Sequence, residues 1–201
     1  MNINYQVKLD EIIKNLTYRP KLLLHSCCGP CSSYVLSYLS NYFDITVYYY
    51  NPNIHPENEY KKRLNEQIRL VNEGFCKIKV IDEVYNPDDY FKEIKGHEKD
   101  KEGEERCHIC YRLRMEKCAK YAREHNFDYF TTTLSVSPYK NAKVLNEIGY
   151  ALEKKYNIKY LCADFKKKDG YKTSIILSKK YNLYRQDYCG CVYSKIDKME
   201  E

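Results

Sequence analysis

A short apolar run, KLLLH at 21–25, ends on the cysteine-rich segment HSCCGPC, and SSYVLSYLSNY at 32–42 then repeats its apolar positions at helical spacing. Strand, irregular loop and helix in that order set the pattern for the whole chain. ITVYYY at 45–50 reads as a second strand, followed by the Pro/Asn-rich NPNIHPENE and a charged helix from about 57 to 73. A third strand is expected at 77–81, a solvated loop at 96–106, a helix over 107–125 opening with CHIC, and a fourth strand at 128–134. A helix at 141–155, a fifth strand at 158–162 and a short final helix at 173–182 complete the series. Such alternation specifies an α/β fold with a parallel sheet of about five strands and right-handed crossovers. One domain is expected over 1–201, with 1–20 as an N-terminal extension and 195–201 as a C-terminal tail. In sheets of this kind ligands gather beyond the carboxyl ends of the strands, so HSCCGPC, CHIC and SVSPYKN are expected to share one rim.

The chain has 10 cysteines, seven of them in three clusters: Cys27, Cys28 and Cys31; Cys107 and Cys110; Cys189 and Cys191. Thiolates two or three residues apart can converge on one soft metal centre, whereas the solitary Cys76, Cys118 and Cys162 read as structural. Gly29 and Pro30 supply the irregular backbone that lets adjacent Cys27 and Cys28 face one centre, and they place Cys31 near a helix start. Cys107 and Cys110, at i and i+3, form a chelating pair on one helical turn. Four thiolates from two segments suit a structural zinc or an iron-sulfur cluster, and spacing alone does not choose. The flexible Gly190 brings Cys189 and Cys191 within reach of a strained, easily reduced disulfide, which suits a reversible redox couple; two further metal ligands is the other reading.

His25 and His108 stand beside these clusters as candidate ligands, proton donors or partners of buried backbone groups. His55, near Glu57, is expected to face the same rim, and His97 and His125 the surface. The N-terminal segment has no signal-peptide core and no stretch has the length of a membrane span, so a cytosolic protein with no membrane partner is expected. In a reducing compartment clustered cysteines mean metal ligands or catalytic thiols. The formal net charge of +6 and 23 tyrosines make an anionic partner a reasonable expectation. No GxGxxG, P-loop or GxSxG motif is present, which weakens nucleotide-cofactor, phosphoryl-transfer and serine-hydrolase readings.

HSCCGPCSS, ERCHICYRLR, TTTLSVSPYKN and KKKDGYKTSIILSKKYNLYRQDYCGCVYS, in this order between about residues 20 and 194, resemble the cysteine-rich epoxyqueuosine reductase family of the QueH type. The resemblance implies a Rossmann-like sheet similar to the adenine nucleotide alpha-hydrolase group. It implies an oxidoreductase acting in queuosine biosynthesis, which reduces epoxyqueuosine to queuosine at the wobble position of tRNAs with GUN anticodons, those for Asp, Asn, His and Tyr. It also implies a 4Fe-4S cluster on Cys27, Cys28, Cys107 and Cys110, and a redox-active disulfide between Cys189 and Cys191. A second, mononuclear iron or zinc is implied beside the cluster, with Cys31 as its first candidate ligand; the electron donor is external.

Removing an epoxide oxygen to leave an alkene takes two electrons and two protons and releases water. His25, Tyr139 and Tyr188 are the candidate proton donors. Lys140, Lys143, Lys166 to Lys168, Lys172 and Arg185 are candidate phosphate contacts, with Tyr139, Tyr171 and Tyr184 available to stack on bases. Two other readings compete. A zinc-stabilised RNA-binding module leaves YCGC unexplained, and a thiol-dependent tRNA sulfur transferase would carry an SGGxDS-like loop where HSCCGPC stands.

Overall fold

Leu22 and Leu24 point to one face of strand β1 (Lys21–His25) and Leu23 to the other, and all three are fully buried, so this strand needs cover on both sides. The computed structural model describes residues 3–200, with the side chains of 3–196. It places β1 at the centre of a five-stranded parallel sheet with β2 (Asp44–Tyr49), β3 (Lys79–Asp82), β4 (Tyr129–Thr132) and β5 (Lys159–Tyr160), in the order β3, β2, β1, β4, β5. The α/β class and the strand count expected from the alternation are both present.

The helices of the described residues are α1 (Tyr5–Lys14), α2 (Gly29–Leu39), α3 (Glu57–Gly74), α4 (Pro87–Glu93), α5 (Glu105–Glu124), α6 (Ala142–Tyr156), α7 (Gly170–Lys180) and α8 (Val192–Glu200). Val35, Leu36 and Leu39 of α2 and Val71 of α3 pack with Leu22, Leu24, Ile45 and Val47 on one face. Met115, Cys118 and Ala122 of α5 and Leu145, Ile148 and Leu152 of α6 pack with Leu23, Tyr48 and Phe130 on the other. Both faces are therefore dry, and the strand order reverses between β1 and β4, which opens a crevice beyond their carboxyl ends.

Several boundaries differ from the expected ones. The fourth strand stops at Thr132 because the Thr132 hydroxyl accepts the Leu134 N–H at 3.2 Å and starts a 3-10 turn over Thr133–Val136. The fifth strand is two residues long: Leu161 N–H still donates to Phe130 O, but its carbonyl accepts from the Thr131 hydroxyl at 2.8 Å, not from a neighbouring backbone. Helix α7 starts at Gly170 rather than 173. A Cβ there would lie 1.8 Å from the Phe165 carbonyl oxygen and 2.5 Å from the Tyr34 ring, so only glycine lets this helix approach α2.

Helices α1, α4 and α8 were not expected. The first forms part of the N-terminal extension, capped by Asn4 and held by the buried Leu9; Met1, Asn2 and Glu201 lie outside the described residues. Among the described residues no helix is long and apolar enough to cross a membrane.

Candidate active site

The loop after β1 carries the first cysteine cluster into the crevice. Cys28 is the extended N-cap of α2, Gly29 and Pro30 begin the helix, and Cys31 sits in its first turn. The Sγ atoms of Cys27, Cys28 and Cys31 lie within 4.8 Å of one another, with Cys27 and Cys28 at 3.8 Å. Hydrogen bonding with Cys28 and Cys31 holds the Cys27 thiol well below its usual range.

A polar scaffold fixes this loop from behind. The Ser26 and Ser32 hydroxyls lie against each other, and each is within hydrogen-bond distance of Gln67 Oε1, at 2.8 and 2.6 Å, so their two protons are shared over this cluster. Asn51 Nδ2 donates to Ser26 O at 2.8 Å. His25 lies beneath, with Nδ1 at 2.9 Å from Thr132 Oγ1 and Nε2 at 3.1 Å from Tyr50 O. The carbonyl requires Nε2 to be the donor, and in the neutral ring this leaves Nδ1 to accept from the Thr132 hydroxyl. Burial, helped by the Arg114 charge, depresses the ring's pKa to about 3. His25 thus ties the ends of β1, β2 and β4 together and is not among the residues lining the cavity.

The cavity has a volume of about 680 Å³. Cys27, Cys28 and Cys31 form one wall, Ser137 to Lys140 after β4 another, and Arg185 to Cys189 a third. Tyr171, Arg63 and Arg114 also reach it. Burial opposes the Lys140 ammonium, but attraction from Cys189, Tyr111, Cys27 and Cys31 outweighs that cost and raises its pKa.

A small inner pocket adjoins the cavity and holds the other two cysteine clusters: Cys107 and Cys110 from α5, and Cys189 and Cys191 just before α8. Arg114 and Cys189 line both spaces. Burial raises the Cys107 thiol, against the Gly103 N–H that donates to its Sγ at 3.3 Å, and pushes Cys110 up to about 12. All seven clustered cysteines therefore surround two connected spaces at one rim of the sheet. Within the described residues, the three first-cluster sulfurs are those close enough to share one ion, while Cys107 and Cys110 line the adjoining inner pocket.

The family model for epoxyqueuosine reductase QueH matches residues 22–197. The chain belongs to the epoxyqueuosine reductase QueH family. It is 45% identical over 201 residues to the epoxyqueuosine reductase QueH of Staphylococcus epidermidis, covering 96% of this chain and 84% of that one. The QueH of Streptococcus pyogenes serotype M1 is 40% identical over 205 residues, covering 96% and 80%. Among solved structures, the fold is similar to a U34-tRNA thiolase, NcsA, from Methanococcus maripaludis, with a TM-score of 0.51 at 12% identity. That likeness covers 91% of this chain and 64% of the thiolase.

In this QueH-family chain the donor set suits a soft metal centre, since it is made of thiols, and the surrounding charge suits an anionic one. Arg114 is 1% exposed and Arg63 is 2% exposed, and each keeps one buried guanidinium nitrogen, Nη2, without a hydrogen-bond partner. Orphaned cationic donors beside thiols cost energy unless a further acceptor occupies the space they face.

Neither arginine was read from the sequence as a site residue. The signal was present: on α3, Tyr60, Arg63, Leu64, Gln67, Leu70 and Val71 share the buried face, so Arg63 and Gln67 occupy core positions of an amphipathic helix. On α5, Arg106, Cys110 and Arg114 recur every fourth residue on the buried face.

The other expected residues fall as follows. Tyr139 is 76% exposed at the cavity edge, and Arg185 lines the wall with Nη1 at 3.3 Å from Ser178 Oγ. Lys172 is exposed on α7, outside the cavity lining. Tyr184 is tied to Glu59 by its hydroxyl, and Lys166 Nζ donates to Lys140 O. The backbone N–H of His55 donates to Gly190 O at 2.9 Å, and its ring packs against Phe91. His108 lies 3.4 Å from Glu105. Cys118 and Cys162 are buried in the core, whereas Cys76 is exposed.

Proposed function

We propose that this chain reduces epoxyqueuosine to queuosine in tRNA, removing the epoxide oxygen as water to leave a cyclopentene. What supports it is the family match over residues 22–197 together with seven clustered cysteines around two connected spaces at the switch point of the sheet. Cys27 and Cys28 hold a 4Fe-4S cluster together with Cys107 and Cys110. When bound, such a cluster supplies electrons one at a time, which thiols alone deliver in pairs. Cys31, within 4.8 Å of Cys27 and Cys28, is the ligand offered to a neighbouring mononuclear iron or zinc.

The chain's own groups then have distinct tasks. Arg114 and Arg63 balance the negative charge of the thiolates from within the protein. Tyr139 presents an exposed ring on which a base splayed from the anticodon loop stacks, and Lys140 and Arg185 meet its phosphates. Lys172 meets a phosphate farther along the strand. Tyr139 and Tyr188, two of the phenols in the cavity lining, hold the proton needed by the departing oxygen. His25, with both ring nitrogens engaged, acts as a positioning residue for the loop that carries Cys27 and Cys28. Cys189 and Cys191 pass electrons from an external donor. The substrates are the tRNAs with GUN anticodons, and the place of action is the cytoplasm.

Expression of this chain in a strain that lacks its own epoxyqueuosine reductase tests the reading. Nucleosides from its tRNA should change from epoxyqueuosine to queuosine. Persistence of epoxyqueuosine, with the chain present in folded form, would overturn it.

A further inference from the structure

The two sulfurs of the CGC segment face different spaces. Cys189 lines both the main cavity and the inner pocket. Cys191 is 5% exposed and lines the inner pocket only, among the described residues. The backbone between them is anchored on both sides. Cys189 O accepts from Arg63 Nη1 at 2.9 Å, Cys189 N–H donates to Ser194 Oγ at 3.1 Å, and Gly190 O accepts from His55 N–H at 2.9 Å. With both carbonyls and one N–H committed, the segment cannot turn Cys191 toward the cavity without breaking buried bonds.

Hydrogen-bond donors surround Cys191 in a closed space. Its Sγ accepts the Ser194 N–H at 3.4 Å, in the first turn of α8, and the hydroxyl of the buried Tyr90. The Arg106 guanidinium adds favourable charge.

We propose that the pair has a fixed polarity in exchange: Cys189 is the sulfur attacked by a dithiol reductant from the main cavity, and Cys191 is the sulfur that leaves into the inner pocket. This rests on the reading of the pair as the redox couple. In the first step a reductant thiolate forms an S–S bond to Cys189 Sγ. The Cys189–Cys191 bond breaks, and its electron pair departs on Cys191 Sγ, where Ser194 N–H and the Tyr90 hydroxyl receive the charge. In the second, the other reductant thiolate attacks the mixed disulfide and releases Cys189. The pair gains two electrons and two protons, and the reductant becomes a disulfide.

The test runs this exchange in reverse on the full chain, purified and reduced without oxygen. The aromatic disulfide dithiobis(nitrobenzoate) is added, samples are acid-quenched at short times, and adducts are mapped by peptide mass spectrometry. The exposed Cys76 marks completion. In the wild type the first adduct falls on Cys189 and then converts to a Cys189–Cys191 disulfide. Cys191→Ser stops at the Cys189 adduct, and Cys189→Ser leaves Cys191 unmodified. Tyr90→Phe, which removes a donor to charged sulfur, leaves the first adduct's rate unchanged and slows closure about tenfold, a split that general loosening would not produce. A first adduct on Cys191 that still closes to the disulfide would overturn the polarity and leave the redox couple standing. An adduct that never closes would remove the couple itself.

Discussion

Arg63 Nη1 donates to the carbonyl oxygen of Cys189 at 2.9 Å, joining α3 to the CGC segment across 126 residues of sequence. The same guanidinium donates from Nε to Glu59 at 2.7 Å and lies over the Tyr188 ring, so one buried cation holds the third wall of the cavity in place. Removal of a buried, paired arginine strands its carboxylate partner, at a cost of about 3–5 kcal/mol. Arg63→Ala is therefore expected to lose roughly that much stability in urea unfolding, and reductase activity with it. A loss of a few tenths of a kcal/mol would show that the wall is held elsewhere.

Gly190 has φ of 112°, and a Cβ there would stand 2.8 Å from Arg63 Nη1 and 3.1 Å from Ile54 Cγ1. Gly190→Ala combines backbone strain with displacement of the guanidinium, for an expected cost of about 1–3 kcal/mol. Thermal unfolding and the rate of Cys189–Cys191 closure measure it; unchanged values for both would contradict the anchoring described.

The segment leading to that wall is pinned by Glu66. Its carboxylate pairs with Arg69 at 2.9 Å and accepts the Tyr184 N–H at 2.8 Å, while Arg69 donates to Tyr181 O and Asn182 O. These bonds, that to Arg69 first, lower the Glu66 pKa below its ordinary 4.5. A carboxylate depressed in the folded state stabilises fully above the unfolded value and loses that contribution as pH falls through the folded one. Acidification below 4.5 is expected to loosen residues 181–184 in hydrogen exchange, and Glu66→Gln should show the same loosening already at neutral pH. Equal protection of this segment in both proteins would contradict it.

The phosphate contacts assigned to Lys140 and Arg185 make tRNA affinity fall as salt rises. Lys140→Ala should weaken binding and reduce the slope of log affinity against log salt by about one charge. Lys143→Ala, whose ammonium is exposed and paired with Glu147 at 3.8 Å, should change it less. Identical slopes for the wild type and Lys140→Ala would remove Lys140 from the RNA path.

Much of this architecture was legible because the sheet is buried on both faces. The run Leu22, Leu23, Leu24 could satisfy only a central strand, and the turn chemistry of Gly29 and Pro30 fixed where the first cysteines emerge. The helices α4 and α8 were missed because they are short, 7 and 9 residues, and so show little periodicity; α8 is defined by what it touches, Ser194 against Cys189 and Cys191. Arg63, Gln67 and Arg114 were missed because polar residues on a charged helix look solvated until the burial of their neighbours is known. Sequence also paired CHIC with the first cluster by resemblance, whereas the geometry adds that the two clusters line separate spaces, both of which Arg114 and Cys189 also line.

Conversion of epoxyqueuosine in isolated tRNA by the purified, oxygen-protected chain with a low-potential reductant is the most direct test. Nucleoside mass spectrometry would follow the loss of one oxygen, with iron and acid-labile sulfide determined on the same preparation. The account predicts about four sulfide and about four to five iron per chain, and queuosine formed in proportion to cluster content. Unchanged epoxyqueuosine from protein that carries its full complement of iron and sulfide would contradict it.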